Sequence, residues 1–304
     1  MDDDESFIAC PKCGGKTIRR GKSQKGSVPM VDLQCKICDK YSTVPDPRHP
    51  IPKIFVFDIE TSTILAHIFS LKINGYISPK NIEHDWFALC WAGKWLMTGE
   101  KVHDIVTPGE AKKRNDRRVS QSLWNIFDTA DVLVGHNLKR FDTKKMSWRF
   151  EKNDLGVPRK YRMYDTLTES RKAFGATSHS LDFIGKEFKL NGKHKTDIDL
   201  WKACSSGEPK ALSRMNSYCI HDVEIGVEWY LRLRKWSMGR INLALYTDMQ
   251  EPRCPVCLGK VEETGKIVTT GANRWPGVRC ACGWVGRGKE SLTNIEQRRR
   301  LKVE

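Results

Sequence analysis

Eight of the eleven cysteines fall into four close pairs, two pairs near each end of the chain, and this spacing limits what the ends can fold into. Cys10 and Cys13 are followed, after 21 intervening residues, by Cys35 and Cys38; Cys254 and Cys257 are followed, after 22 intervening residues, by Cys280 and Cys282. A segment of about forty residues rarely stands on its apolar core alone, and a bound metal is a common remedy. Pairs at this separation have the form of a four-cysteine zinc ribbon, so two structural Zn²⁺ sites are expected, each closed by four thiolates. The last pair, Cys-x-Cys, is tighter than the others. Gly14, Gly15, Gly259 and Gly283 follow the pairs, and glycine supplies the positive-φ turns through which amides reach metal-bound sulfur. Redox-active pairs are the alternative, but nothing around them suggests a thioredoxin-like unit. Cys90, Cys204 and Cys219 stand singly in apolar surroundings and read as ordinary buried cysteines.

Between the ribbons the chain is long enough for one mid-sized domain. The stretch 44–52, VPDPRHPIP, reads as a stiff linker after a module at 1–43. Residues 53–248 have an α/β pattern, 251–290 form the second ribbon, and 291–304 a basic tail. KIFVFDIE (53–60) is a buried strand by its run of β-branched and aromatic residues. Further strand-like runs at 64–71 and 86–96 could extend the sheet as a meander. Residues 110–119 are charged and poor in apolar groups, which suggests a loop leading to a helix near 119–128. DVLVGHN (131–137) reads as a second short strand ending at a glycine, 141–151 as a helix, and 164–166 as the close of another extended piece. SHSLDFIGKEF (178–188) has Leu181, Ile184 and Phe188 at helical spacing, with Ser178 or Ser180 as cap. Residues 210–236 form a long amphipathic helix. Strands early and helices after and between them imply an α/β sheet with helices on its faces.

Lys and Arg outnumber Asp and Glu by 52 to 37, a net charge of +15. Such an excess speaks of partners rather than fold, and nucleic acid is the usual partner of a soluble basic protein. Both ribbons carry cations: Arg19, Arg20, Lys22 and Lys25 in one, Arg274, Arg279 and Arg287 in the other. Trp275 and Trp284 could stack on bases, although filling a small core is the preferred reading of each. No apolar run reaches the ~18 residues needed to span a bilayer, and the acidic start MDDDES lacks the basic and apolar regions of a secretory signal. A cytoplasmic protein without membrane partners is expected.

In F57-D58-I59-E60-T61, residues two apart on a strand share a face, so Asp58 and Glu60 project together. Two carboxylates on a strand otherwise built of Ile, Phe and Val are electrostatically costly unless a divalent cation lies between them. Hard oxygen donors suit Mg²⁺ or Mn²⁺; two solvated acids at an open strand end are the alternative. In V134-G135-H136-N137-L138-K139-R140-F141-D142, Asp142 falls in the first turn of a helix, where a carboxylate is favoured by the dipole alone. In Y218-C219-I220-H221-D222, Tyr218 and Asp222 share one helical face with Met215, Gly226 and Trp229. A carboxylate on that apolar stripe needs a partner, either a cation of the fold or a metal.

D-x-E on a first strand, N-x3-F-D after a second and Y-x3-D on a late helix, in that order, resemble the DEDD exonuclease superfamily, and the tyrosine resembles its DEDDy branch, similar to the proofreading domains of DNA polymerases. The resemblance covers about residues 53–240. A histidine five residues before the last Asp would mark the DEDDh branch; Ser217 stands there. The resemblance implies a ribonuclease-H-like mixed sheet flanked by helices, and a 3′–5′ exonuclease using two Mg²⁺ or Mn²⁺. Asp58, Glu60 and Asp222 would hold the ion that activates water, Asp58 would bridge to a second ion supported by Asp142, and Tyr218 would orient the water. Asn137 matches a substrate-contacting asparagine, and Thr61 is assigned to the same substrate side. Lys193 and Lys195, in the basic loop 190–197, could contact the strand or simply be solvated. D165-T166 resembles a recurrent sheet-edge pair without a catalytic role. Single-stranded DNA is favoured as substrate, with RNA or a structure-selective endonuclease activity as alternatives. No polymerase domain follows, so the protein would act alone or join a polymerase or repair assembly in trans. A zinc-ribbon binding protein on an inactive nuclease fold is the reading from another class.

Overall fold

The computed structural model describes residues 8–25, 28–46, 50–72, 75–190, 196–237 and 241–301. Lys193 and Lys195 lie outside the described residues. The chain divides into two compact units, Lys53–Gly239 and the terminal segments Met1–Pro52 with Arg240–Glu304.

In the first ribbon, β1 (Thr17–Lys25), β2 (Val28–Cys35) and β3 (Tyr41–Pro45) form an antiparallel sheet in that order. Val44 and Pro45 continue β3, and the Asp46 amide donates to the Pro29 carbonyl, so the ribbon runs into the stretch read as linker. Its core is small: Met30, Val31 and Leu33 beside Cys10 and Cys35.

The central unit is mixed α/β. Its strands are β4 (Ile54–Thr61), β7 (Ala88–Trp95), β8 (Lys101–Ile105), β9 (Val132–Gly135) and β10 (Arg162–Asp165), in sheet order β10-β9-β4-β7-β8, with β5 (Leu65–Ala66) and β6 (Ile82–His84) apart in a two-stranded ribbon. β4 runs parallel to β9, and β9 to β10, while β7 and β8 return antiparallel. The run 64–71 therefore does not extend the main sheet, and only Leu65–Ala66 of it is a strand, paired with β6. Its apolar residues have no face to cover: Ile64, Leu65, Ile68, Phe69 and Leu71 are all exposed. The reading of 110–119 as a loop is also corrected. α1 (Pro108–Lys112) is held by a capping box between Thr107 and Glu110, and α2 (Arg117–Thr129) follows after the turn 113–116. The charges that hid this helix are paired, Arg118 with Asp104 at 2.7 Å and with Glu110 at 2.9 Å.

α3 (Asp142–Lys152), α4 (Thr166–Ala173), α5 (Leu181–Glu187, capped by Ser180), α6 (Ile198–Ser205) and α7 (Pro209–Leu233) complete the unit. The alternation along β4 decides which helix covers which face. Phe57 meets Phe127 of α2, which meets Phe150 of α3, at centroid distances of 5.2 and 5.4 Å. Phe55 lies over β7, where a Cβ on Gly93 would come within 2.1 Å of its ring. The even positions turn the other way: Val56 is the nearest neighbour of Gly226 on α7, and α7 packs across β4 and β7.

One buried ion pair was not legible in the sequence. Asp116 and Arg149 are 0% and 4% exposed and meet at 2.5 Å, and Asp116 also accepts from the Ala88 amide and the Asn153 side chain. Truncating one partner strands the other charge in the core, which costs about 3–5 kcal/mol. Arg149→Ala should therefore lower the melting temperature of the central unit by about 10 °C. Calorimetry of the variant checks this, and an unchanged transition would show that Asp116 is satisfied by its other donors.

In the C-terminal segment the Leu243 amide donates to the Pro255 carbonyl. β11 (Val261–Thr270), β12 (Asn273–Cys280) and β13 (Val285–Arg287) repeat the antiparallel order of the first ribbon, and a short, exposed basic helix, α8 (Ile295–Leu301), follows. Among the described residues no helix is long and apolar enough to cross a membrane.

Candidate metal centres

Carboxylate oxygens of Asp58, Glu60 and Asp222 all lie within 4.8 Å of one another. β4 supplies the first two from its even face, and α7, lying across that face, supplies the third. The β4–β7 register slips by one residue where Glu60 pairs with Cys90 and Thr61 with Ala88. Such a bulge bends the strand end and re-aims its side chains. Asp222 is only 5% exposed, whereas Asp58 and Glu60 are half-buried. Three like charges this close repel by a few kcal/mol per pair at an effective dielectric near ~20. A divalent cation reverses the sign of that term, and an all-oxygen donor set fits a hard ion such as Mg²⁺ or Mn²⁺.

Asp142 stands beside this group rather than in it. It opens α3 and is 2% exposed. Burial, then the charges of Asp58 and Asp165, push its carboxyl well above the usual carboxylate range, while its own amide and that of Ile59 pull the other way. Tyr218, 6% exposed, lies one turn before Asp222. Burial first, then the charges of Asp222 and Glu60 and a hydrogen bond to Asp222, raise its hydroxyl far above the ordinary tyrosine value. A shift in this direction favours the protonated hydroxyl, in hydrogen-bond contact with Asp222.

Of the residues assigned to substrate, Thr61 ends β4 and is half-buried. Asn137 has φ +67°, and its carbonyl accepts the amides of Arg140 and Phe141, so asparagine suits the left-handed turn it makes there. Asp165 holds this turn from β10. Its carboxylate accepts the Lys139 amide at 3.0 Å and caps α4 through the amides of Leu167 and Thr168. D165-T166 is thus a helix cap and a tie between two loops.

Cys90 and Cys219, read singly in the sequence, meet behind the acids. The Cys219 thiol lies 3.5 Å from the Asp58 carbonyl oxygen; its hydrogen bond to Cys90, then burial, push it well above the ordinary thiol value. The signal available was positional: Cys90 is the strand partner of Glu60, and Cys219 lies three residues before Asp222.

The eight paired cysteines form two four-sulfur clusters, each with its sulfur atoms within 4.8 Å of one another. The separations repeat: 3.8 Å for Cys10–Cys38 and Cys254–Cys282, 3.5 Å for Cys13–Cys35 and Cys257–Cys280. Amides point at the sulfurs, from Lys12 to Cys10, from Ile37 and Cys38 to Cys35, and from Gly259 to Cys257. The Cys38 amide leads in pulling Cys35 down to about 6, and the hydrogen bond with Cys254 leads in pulling Cys257 down to about 5. Each cluster of four sulfurs could hold one structural zinc ion. The glycines divide the work differently from the expectation. Gly14 and Gly283 take positive φ, but at Cys257 the left-handed residue is Leu258, φ +64°. Gly259 is needed for room instead, because a Cβ there would lie 3.2 Å from both Cys257 and Cys280 sulfurs. Trp284 fills the ribbon core, 6% exposed, whereas Trp275 stacks under Arg287 at the surface.

No protein-family model matches this chain, and no curated protein matches it either.

Proposed function

We propose that the protein is a metal-dependent 3′–5′ exonuclease with a ribonuclease-H-like catalytic unit of the DEDDy type. The convergence of Asp58, Glu60 and Asp222 from β4 and α7, with the Tyr218 hydroxyl against Asp222, carries this reading. A mixed five-stranded sheet flanked by helices, with the D-x-E strand at its centre, supports it, as does the net charge of +15.

Asp58, Glu60 and Asp222 would hold the divalent ions, with Asp142 supporting Asp58 from the start of α3. Ions bound there would lower the pKa of a water and stabilise the leaving 3′ oxygen in an in-line displacement. The chain's own contribution is geometric. The carboxylates are fixed by a central strand and a 25-residue helix rather than by loops. Tyr218, held protonated, orients the attacking water through its hydroxyl. Tyr218→Phe is therefore expected to lower cleavage ~10- to ~100-fold with little change in strand binding, read as separate kcat and KM; an equal loss in both metal binding and fold would reassign it to packing.

The direct test is incubation with 5′-labelled single-stranded DNA and RNA in Mg²⁺, Mn²⁺ or EDTA. A metal-dependent ladder shortening from the 3′ end is expected, on DNA in preference to RNA. Internal fragments would indicate an endonuclease. Intact substrate with retained binding would leave a nucleic-acid-binding protein on an inactive nuclease fold.

A further inference from the structure

The outer face of the C-terminal ribbon carries an open groove of about 900 Å³, lined among others by Lys266, Gly277, Arg279, Val285 and Arg287. Its origin is local. β11 slips against β12 between Glu263 and Ile267, and Gly277 lies opposite that slip. A Cβ on Gly277 would come within 2.9 Å of the Lys266 carbonyl oxygen and the Thr264 hydroxyl, so the floor is bare backbone. The register pairs Arg279 with Val285 and Gly277 with Arg287, which puts both guanidinium groups on one face with the half-exposed Val285 between the strands.

On this face Glu262 stands opposite Arg279 in the register, whereas Arg287 stands opposite Gly277, with no carboxylate across from it. Among the described residues Lys266, Arg279 and Arg287 make no ion pair, although Arg253 and Arg300 in the same segment do. Glu262, opposite Arg279 in the register, is not part of the groove lining. Arg287 is also held in place: it sits 4.2 Å over the Trp275 ring and donates to the Thr270 hydroxyl at 3.3 Å, the same oxygen that accepts the Trp275 indole N–H at 2.8 Å. A guanidinium fixed by an aromatic face and a hydroxyl, without a carboxylate, is prepared for an anion from outside. The groove between the cations is apolar, with Val268 and Val285 along it, while Val278 points the other way into the ribbon core. Phosphates at the rim and flat apolar groups on the floor describe a single strand with its bases turned inward, since a duplex would offer only its backbone.

We infer that this groove is a binding site for single-stranded nucleic acid, held by phosphate contacts to Lys266, Arg279 and Arg287 with bases against Val268, Val285 and the bare backbone at Gly277. The choice of polymer rests on the nuclease reading; the site itself does not, being remote in sequence from the acidic cluster. The test uses full-length, zinc-loaded protein carrying Asp58→Asn so that no strand is cut. Fluorescence anisotropy with labelled oligothymidylate is measured over a salt series, with and without Arg279→Ala and Arg287→Ala together. The double variant should bind ~10-fold or more weakly, with the salt slope reduced by about 1.5 and the zinc content unchanged. Unchanged affinity and slope would overturn the groove and leave the acidic centre untouched. Equal loss on duplex DNA, or displacement by an acidic peptide with the same affinity, would replace the proposed occupant. Groove-dependent binding in a protein whose unsubstituted form cuts nothing would instead sink the nuclease reading alone.

Discussion

Asp58→Asn is expected to abolish phosphodiester cleavage, by ~10³-fold or more, while leaving the metal-free protein as stable as before or slightly more so. The two effects have one origin. Asp58 lies within 4.8 Å of Glu60 and Asp222 and its charge reaches Asp142. Without a cation these charges repel, and neutralising one of them relieves the fold; with a cation the same charge is needed to hold it, and several kcal/mol of transition-state stabilisation go with it. Active sites commonly trade stability for function in this way. Melting curves with and without Mg²⁺ make the test sharp: the ion should raise the transition of the unsubstituted protein and not that of the variant. A variant that still cleaves would remove this cluster from the chemistry.

Stripping zinc should have the second large effect, and a confined one. Apparent zinc-binding free energies of about 10–16 kcal/mol are folding free energy in modules of this size, and the N-terminal ribbon buries little besides Met30, Val31, Leu33 and its cysteines. A chelator strong enough to empty both clusters should melt β1–β3 and β11–β13 and expose both ends to protease. A resistant fragment near Lys53–Gly239, the unit with its own sheet and helices, should remain. Cys35→Ser alone should open the first ribbon and spare the second. Ribbons that stay protected after complete zinc loss would mean that their cores suffice without metal.

How much of this was readable from residues alone depended on the range of the signal. Strong local patterns were legible: IFVF as a buried strand, Ser180 as a cap, the 25-residue amphipathic α7 and the cysteine spacing. For the acidic cluster, the strand period put Asp58 beside Glu60 and the helix period put Asp222 on an apolar face, but that the two would meet was implied only by the motif resemblance. What failed was decided by partners far along the chain. ILAHIFSL looks like a buried strand, yet its large apolar side chains are exposed among the described residues; Arg117–Thr129 begins among charges that look like a loop, yet Asp104 and Glu110 pair with Arg118. Asp116 gave no hint of burial because its partner, Arg149, lies on another helix. Asn137 shows the converse: a motif position whose side-chain type is already accounted for by its backbone.

The two halves of the acidic cluster lie some 160 residues apart, joined only when α7 closes over β4. Contacts of such separation form late, after the loop-closure entropy of the intervening chain has been overcome. A ribosome therefore releases β4, with Asp58 and Glu60, long before Asp222 emerges. The nascent chain passes through synthesis, amid RNA, with an incomplete ligand set. The three-carboxylate group is completed by the docking of a single helix, so any cut or partner that frees α7 would take Asp222 away from Asp58 and Glu60.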